Sequence, residues 1–166
     1  MAELTALESK IGEVLGLAMA AQDATQKVTK LVEEEGTHDD LRATLQRMAK
    51  EAKETEERTT ELASELDGKK TAILEKARET KQEAVEMMST YLGDDADALD
   101  GFEFLTMAEA GEVGHWGVLQ ELNKQARHPG VRDLVKVQLP IQKRHLKDVL
   151  ASSLQLAAKE DANAAA

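Results

Sequence analysis

The sequence predicts an all-α fold: an antiparallel four-helix bundle with an additional shorter helix over about residues 69–92. Three observations carry that prediction. Apolar residues recur at alternating spacings of three and four over long stretches, as in helices that bury one stripe. Only two prolines and ten glycines punctuate the 166 residues, and the rest is rich in Ala, Glu, Lys, Leu, Gln and Met, which are good helix formers. No stretch alternates apolar and polar residues at period two, so no strand is predicted. The length suits one domain with a real core, expected over 1–160, and the Ala-rich segment 161–166 is expected to be a disordered tail.

The first helix is expected over about residues 4–35. Its stripe is Leu4, Leu7, Ile11, Val14, Ala18, Ala21, Thr25, Val28 and Val32, spaced as in a bundle seam. Gly36 ends it. Thr37 then reads as an N-cap, with Asp39 and Asp40 in the next first turn, where the positive helix end favours acids. The second helix runs to about Leu66 on the stripe Leu41, Leu45, Met48, Ala52, Thr55, Thr59, Leu62, Leu66, with Thr55 and Thr59 polar for core positions. Asp67-Gly68 marks a stop or a kink. The third helix therefore either continues the second or packs as a separate arm, and it carries Ile73, Leu74, Ala77, Ala84, Val85, Met88 and Leu92.

A loop over 93–101 holds Asp95, Asp97 and Asp100. A calcium loop would need a ligand where Leu99 stands and a glycine one position before Gly101, so helix capping accounts for these acids better. The fourth helix begins near Ala98 or Gly101 and ends near Arg127, on the stripe Leu105, Ala108, Glu112, His115, Leu119, Leu122, Ala126. His128-Pro129-Gly130 is a tight break, with His128 expected at a helix C-terminus, where its charge is favoured. The fifth helix spans about residues 131–159. Its apolar residues point in many directions, which predicts burial on more than one side, and Pro140 predicts a kink or bulge. All four aromatic residues lie within residues 91–116, so the large side chains are expected around one junction.

Composition excludes several classes of function. The chain has no Cys, hence no disulfide, no thiolate nucleophile and no Cys-ligated metal. Its 32 acids against 21 Lys and Arg leave a net charge of −11, which argues against a nucleic-acid partner. The acidic excess sits in residues 1–68, with 16 acids and 8 bases, and reads as a solvated helical surface or as a face docking a basic partner. No run of apolar residues is long enough to span a membrane, and no secretory leader opens the chain, so a cytoplasmic protein is expected. Neither a hydrolytic triad nor a phosphate-binding loop is visible. Lys143, Arg144 and Lys147 form a basic patch expected to partner the acidic helices.

The informative feature is a polar level at mid-height. Glu112 and His115 interrupt the fourth stripe. Gln138, Gln142 and His145 interrupt the series Val131, Val135, Gln138, Gln142, His145, Val149 of the fifth. Residues three apart share a helix face. With the chain folded about Pro129-Gly130, His115 and His145 both lie roughly 22 Å from the turn at about 1.5 Å per residue. Helix axes about 8–10 Å apart would let the two imidazoles meet or share a ligand. Burying Glu112 without a partner would cost several kcal/mol, so something must satisfy it. Two readings stand. Glu112, His115 and His145, with Gln142 or Gln138, would hold iron, manganese or zinc. Otherwise they form a buried hydrogen-bond network with no metal. A bis-histidine haem is disfavoured by a core too rich in Ala to wall it.

The run Ala108-Glu109-Ala110-Gly111-Glu112-Val113-Gly114-His115-Trp116, with Leu139-Pro140-Ile141-Gln142-Lys143-Arg144-His145, resembles the C-terminal hairpin of small bacterial proteins of the ferritin-like superfamily. Glu54-Thr55-Glu56-Glu57 is similar to that group too. The resemblance implies a four-helix bundle with a di-iron or dimanganese centre, two helices each offering Glu and two offering Glu-x-x-His. Glu112 and His115 match one Glu-x-x-His, and His145 matches the histidine of the other, with Gln142 at its glutamate position. One buried carboxylate is thus visible where about four are usual. The resemblance implies a protein holding one or two transition-metal ions. The alternative is a non-catalytic scaffold or oligomerisation module with a structural polar core, whose long seams would extend into a homodimer.

Overall fold

The computed structural model describes residues 3–36 and 38–164. Among them it contains five α-helices and no strand: α1 (Ala6–Glu35), α2 (Asp39–Glu65), α3 (Lys70–Tyr91), α4 (Ala98–Ala126) and α5 (Pro129–Ala157). The all-α prediction holds, and α3 is a separate arm rather than a continuation of α2. The chain leaves α2 through an extended Leu66 and turns at Gly68, which has φ +69°.

Local sequence sets the helix ends. Thr5 and Glu8 form a capping box at the start of α1. Asp97 and Asp100 form another at the start of α4, so the acids of that loop cap a helix as expected. Thr37, the expected cap of α2, lies outside the described residues, and the N-cap is His38, whose side chain makes no capping bond. His128 is a correction. It does not close α4 but opens α5, its Nδ1 accepting from the Val131 N–H at 3.3 Å. Arg127 closes α4 in the left-handed region at φ +56°, and Asn123 ties the turn to the His128 backbone.

α1 is the central element. It packs against α2, α3 and α4, while α5 packs against α4 and α2. Two faces of α1 are therefore buried. One is the predicted seam of Ile11, Val14, Ala18, Thr25, Val28 and Val32; the other includes Gly12, Leu15, Gly16 and Ala20. Gly12 and Gly16 are where α3 comes closest. A Cβ at Gly16 would lie 2.4 Å from the Ala77 carbonyl oxygen, and one at Gly12 would lie 2.8 Å from Lys76 Cβ.

Two packing expectations change, the stripe of α4 and the grouping of the aromatic residues. On α4 the buried seam is Leu105, Glu109, Glu112, Trp116, Leu119 and Asn123, with Ala108 and His115 only half-buried beside it. α5 is buried on two sides, against α4 and α2, as expected, and its remaining face leaves Val137, Leu150 and Leu154 exposed. It runs as one helix through Pro140, which stands with Lys136 on the exposed face, where water can serve the freed carbonyl. The aromatic residues do not share one junction. Phe102 and Phe104 pack with Val28, Leu45 and Val149, whereas Trp116 packs with Ile11, Leu119 and Val135. Fourteen residues of helix put roughly 21 Å between Phe102 and Trp116.

Those two groups are the apolar cores of the molecule, one toward each end. At mid-height between them, α2, α4 and α5 turn polar side chains inward.

Candidate functional site

The layer is built from Glu51 and Thr55 on α2, Glu109 and Glu112 on α4, and Gln138, Gln142 and His145 on α5. Glu109, Glu112, Gln138, Gln142 and His145 are each at least 96% buried. Groups so deep must find partners inside the protein. They do. Gln142 Nε2 donates to Glu112 Oε2 at 2.5 Å and to Glu109 Oε2 at 3.3 Å. The His145 ring lies between two carboxylates, with Nε2 2.7 Å from Glu51 Oε2 and Nδ1 3.5 Å from Glu109 Oε2. Arg144 also pairs with Glu51 from the solvent side. Thr55 Oγ1 donates to Gln138 Oε1 at 2.8 Å, and Thr59 Oγ1 donates back to the Thr55 carbonyl.

Of the residues singled out in the sequence, Glu112 and Gln142 are in direct contact, and His145 joins them through Glu109. His115 is not brought to them. A step of three residues turns a helix about 60° short of a full turn, and here it carries the ring from the buried seam to the α1 side. There His115 Nδ1 lies 3.1 Å from Glu13 Oε2 and 3.3 Å from Lys10 Nζ, with its side chain 37% exposed. His115 and His145 therefore do not share a level. The contacts Glu109–His145 and Glu112–Gln142 are both centred on Arg127, two to three residues earlier than Pro129-Gly130.

The electrostatics follow from burial and partners. Burial pushes the Glu112 carboxyl well above its usual range, and the neighbouring Glu109 charge pushes it further. Burial pulls His145 down, but hydrogen bonds to and the charges of Glu109 and Glu51 outweigh it, leaving the imidazole above its ordinary value. His115 goes the other way, lowered by burial and by Lys10 against the opposing pull of Glu13.

Both raised groups hold protons in the folded state that the unfolded chain would release. Stability gained this way is present at low pH and lost as pH rises. The fall begins above the ordinary carboxylate value of 4.5 for Glu112 and above 6.5 for His145. His115 opposes it only below 6.5. Urea melts are expected to show stability declining above pH 6.5, by at most about 1.4 kcal/mol per pH unit for each retained proton. His145→Gln is expected to remove the His145 share of that slope and leave the share of Glu112, and an unchanged slope would contradict the pairing.

As placed, these residues do not fit a metal. The two carboxylates on His145 sit at opposite edges of the ring, so both nitrogens are engaged and neither can share an ion with both acids. Gln142 turns its donor amide to the carboxylates, and His115 is held by α1. Among the described residues no three His, Asp or Glu side chains are grouped as ligands. What the layer can do is hold protons and hold helices in register. A scan of protein-family models, a search of curated proteins and a search of solved structures found no match to the chain. Among the described residues, no helix is long and apolar enough to cross a membrane.

Proposed function

We propose that the chain is a ferritin-like bundle that works without catalysis, as a scaffold or interaction module whose polar layer fixes the register of its helices. In this reading α1, α2, α5 and α4 form the four-helix core, each packed on the next, and α3 is the additional helix laid on α1. The supporting observation is that the layer is continuous: Glu51, His145, Glu109, Gln142 and Glu112 form one connected chain of contacts across three helices. A slip of α5 against α4 by one turn would separate both pairs at once and leave buried charge uncompensated, a penalty that an all-apolar seam would not impose. Exposed Leu150 and Leu154, one turn apart on α5, are where a second copy would add to form the expected homodimer.

The reading is tested by thermal melts of the purified, untagged chain with and without a chelator, alongside metal content by plasma mass spectrometry. The expected result is one melting temperature in both conditions and only traces of transition metal. A metal at one per chain or more, lost on His145→Ala together with chelator-sensitive melting, would overturn it in favour of iron, manganese or zinc at Glu112 and His145.

A further inference from the structure

α3 hugs α1 along Gly12 and Gly16 but makes few contacts with α4; near its end the Tyr91 and Phe104 rings stand 5.6 Å apart. Between the two helices lies a groove of 190 Å³ floored by α1. The floor is made of small residues, Ala20, Ala21 and Ala24, and three methionines line the walls: Met87 and Met88 from α3 and Met107 from α4. Its titratable lining groups are Glu109, Glu112 and His115. We propose that this groove binds a small amphiphile with one protonated amine on an apolar chain, the ammonium seated against Glu112 and the chain lying along the methionines.

Size, walls and charge each narrow the occupant. A dry cavity of about 150 Å³ takes benzene, so this one takes a chain of about six to eight heavy atoms. A helix, about 10 Å across with its side chains, does not fit in that volume. Met87 and Met107 are 57% and 44% exposed, and flexible thioethers adapt to apolar ligands of irregular shape. On the α4 wall Glu112 is 96% buried, yet its one hydrogen-bond partner among the described residues is the neutral amide of Gln142. Glu109 already shares His145, and His115 is held by Glu13. Glu112 is therefore the carboxyl that has no cation beside it; an ammonium seated there pairs with its carboxylate, and the proton that burial leaves on Glu112 is released to solvent. An anion of the same shape would meet two acids, and the chain's net charge of −11 adds to its exclusion.

The test uses the full chain with ¹³C-labelled methionine methyls, titrated with hexylammonium, 1-hexanol and hexanoate. Hexylammonium is expected to move the Met87, Met88 and Met107 signals but not that of Met48, which lies in the apolar core. It is expected to bind at least about tenfold more tightly than hexanol, with hexanoate weakest. Glu112→Gln, which keeps an oxygen for Gln142, should abolish the preference for the amine over the alcohol. Gly111→Trp should abolish binding of all three, because a Cβ at Gly111 meets nothing and the indole can fill the groove mouth. Equal affinity for the three compounds would overturn the proposal, as would silent methionine methyls or an amine preference that survives in Glu112→Gln. A dimer whose Met87 and Met107 methyl signals are spared by a soluble paramagnetic agent would overturn it too, because a second copy then covers the groove.

Discussion

His145→Ala is expected to destabilise the fold by about 3–5 kcal/mol, the cost of removing one member of a buried charged group and leaving the other uncompensated. The ring is 98% buried and touches carboxylates from two other helices. Without it Glu109 keeps only the long bond from Gln142, and Glu51 keeps Arg144 at the surface. Urea denaturation at pH 6.5 measures the loss. Replacing Glu109, Glu112, Gln142 and His145 together by Leu or Met of similar volume should cost far less than the sum of the single changes, because no charge is then stranded. A loss below about 1 kcal/mol for His145→Ala would mean that the clamp is not made in solution.

Gly16→Val is the second large effect. Its Cβ would stand 2.4 Å from the Ala77 carbonyl oxygen and 2.8 Å from Thr80 Cβ, and a backbone atom cannot swing aside as a side chain does. α3 must move away from α1, for a loss of about 3 kcal/mol. Hydrogen exchange should show protection falling first in α3, with α4 and α5 retained. Gly114→Ala is the control. Nothing lies near a Cβ at that exposed helical position, so a gain of about 0.5–1 kcal/mol is expected. Equal losses at both glycines would contradict the close α1–α3 contact.

Much of this architecture is legible in the residues. The seam of α2 through Leu62 and the series of α5 from Val131 to Val149 are buried position for position. α4 misleads because Ala and Gly fill so much of it that two stripes one residue apart look equally apolar. Trp116 is the signal that decides between them. Counting back from this large buried ring by four and three reaches Glu112, Glu109 and Leu105, which is the observed seam. That reading would have exposed Glu109 as a second buried acid and moved His115 off the core.

The hairpin register has a similar cause. Pro129-Gly130 looks like a turn centre, yet proline suits the first position of a helix as well as a turn. Here Pro129 opens α5, and the chain reverses at Arg127. Nothing local marks that residue, since a left-handed arginine has no sequence signature. Glu51 was hidden for another reason. It lies beside the α2 seam rather than on it, and its side chain reaches inward to His145. The groove between α3 and α4 depends on how far two helices diverge, which no single stripe encodes.

The protonation state of His145 tests the central claim most directly. A ring clamped between Glu51 and Glu109 has to donate from both nitrogens, whereas a metal ligand has to keep one lone pair free. Long-range ¹H–¹⁵N correlation spectra of the full chain across pH report both ring nitrogens. An imidazolium pattern with a titration midpoint above 6.5, lowered by Glu109→Gln, is the predicted result. A single neutral tautomer at pH 6.5, with one bare nitrogen whose signal shifts on adding zinc or manganese, would contradict a continuous structural layer.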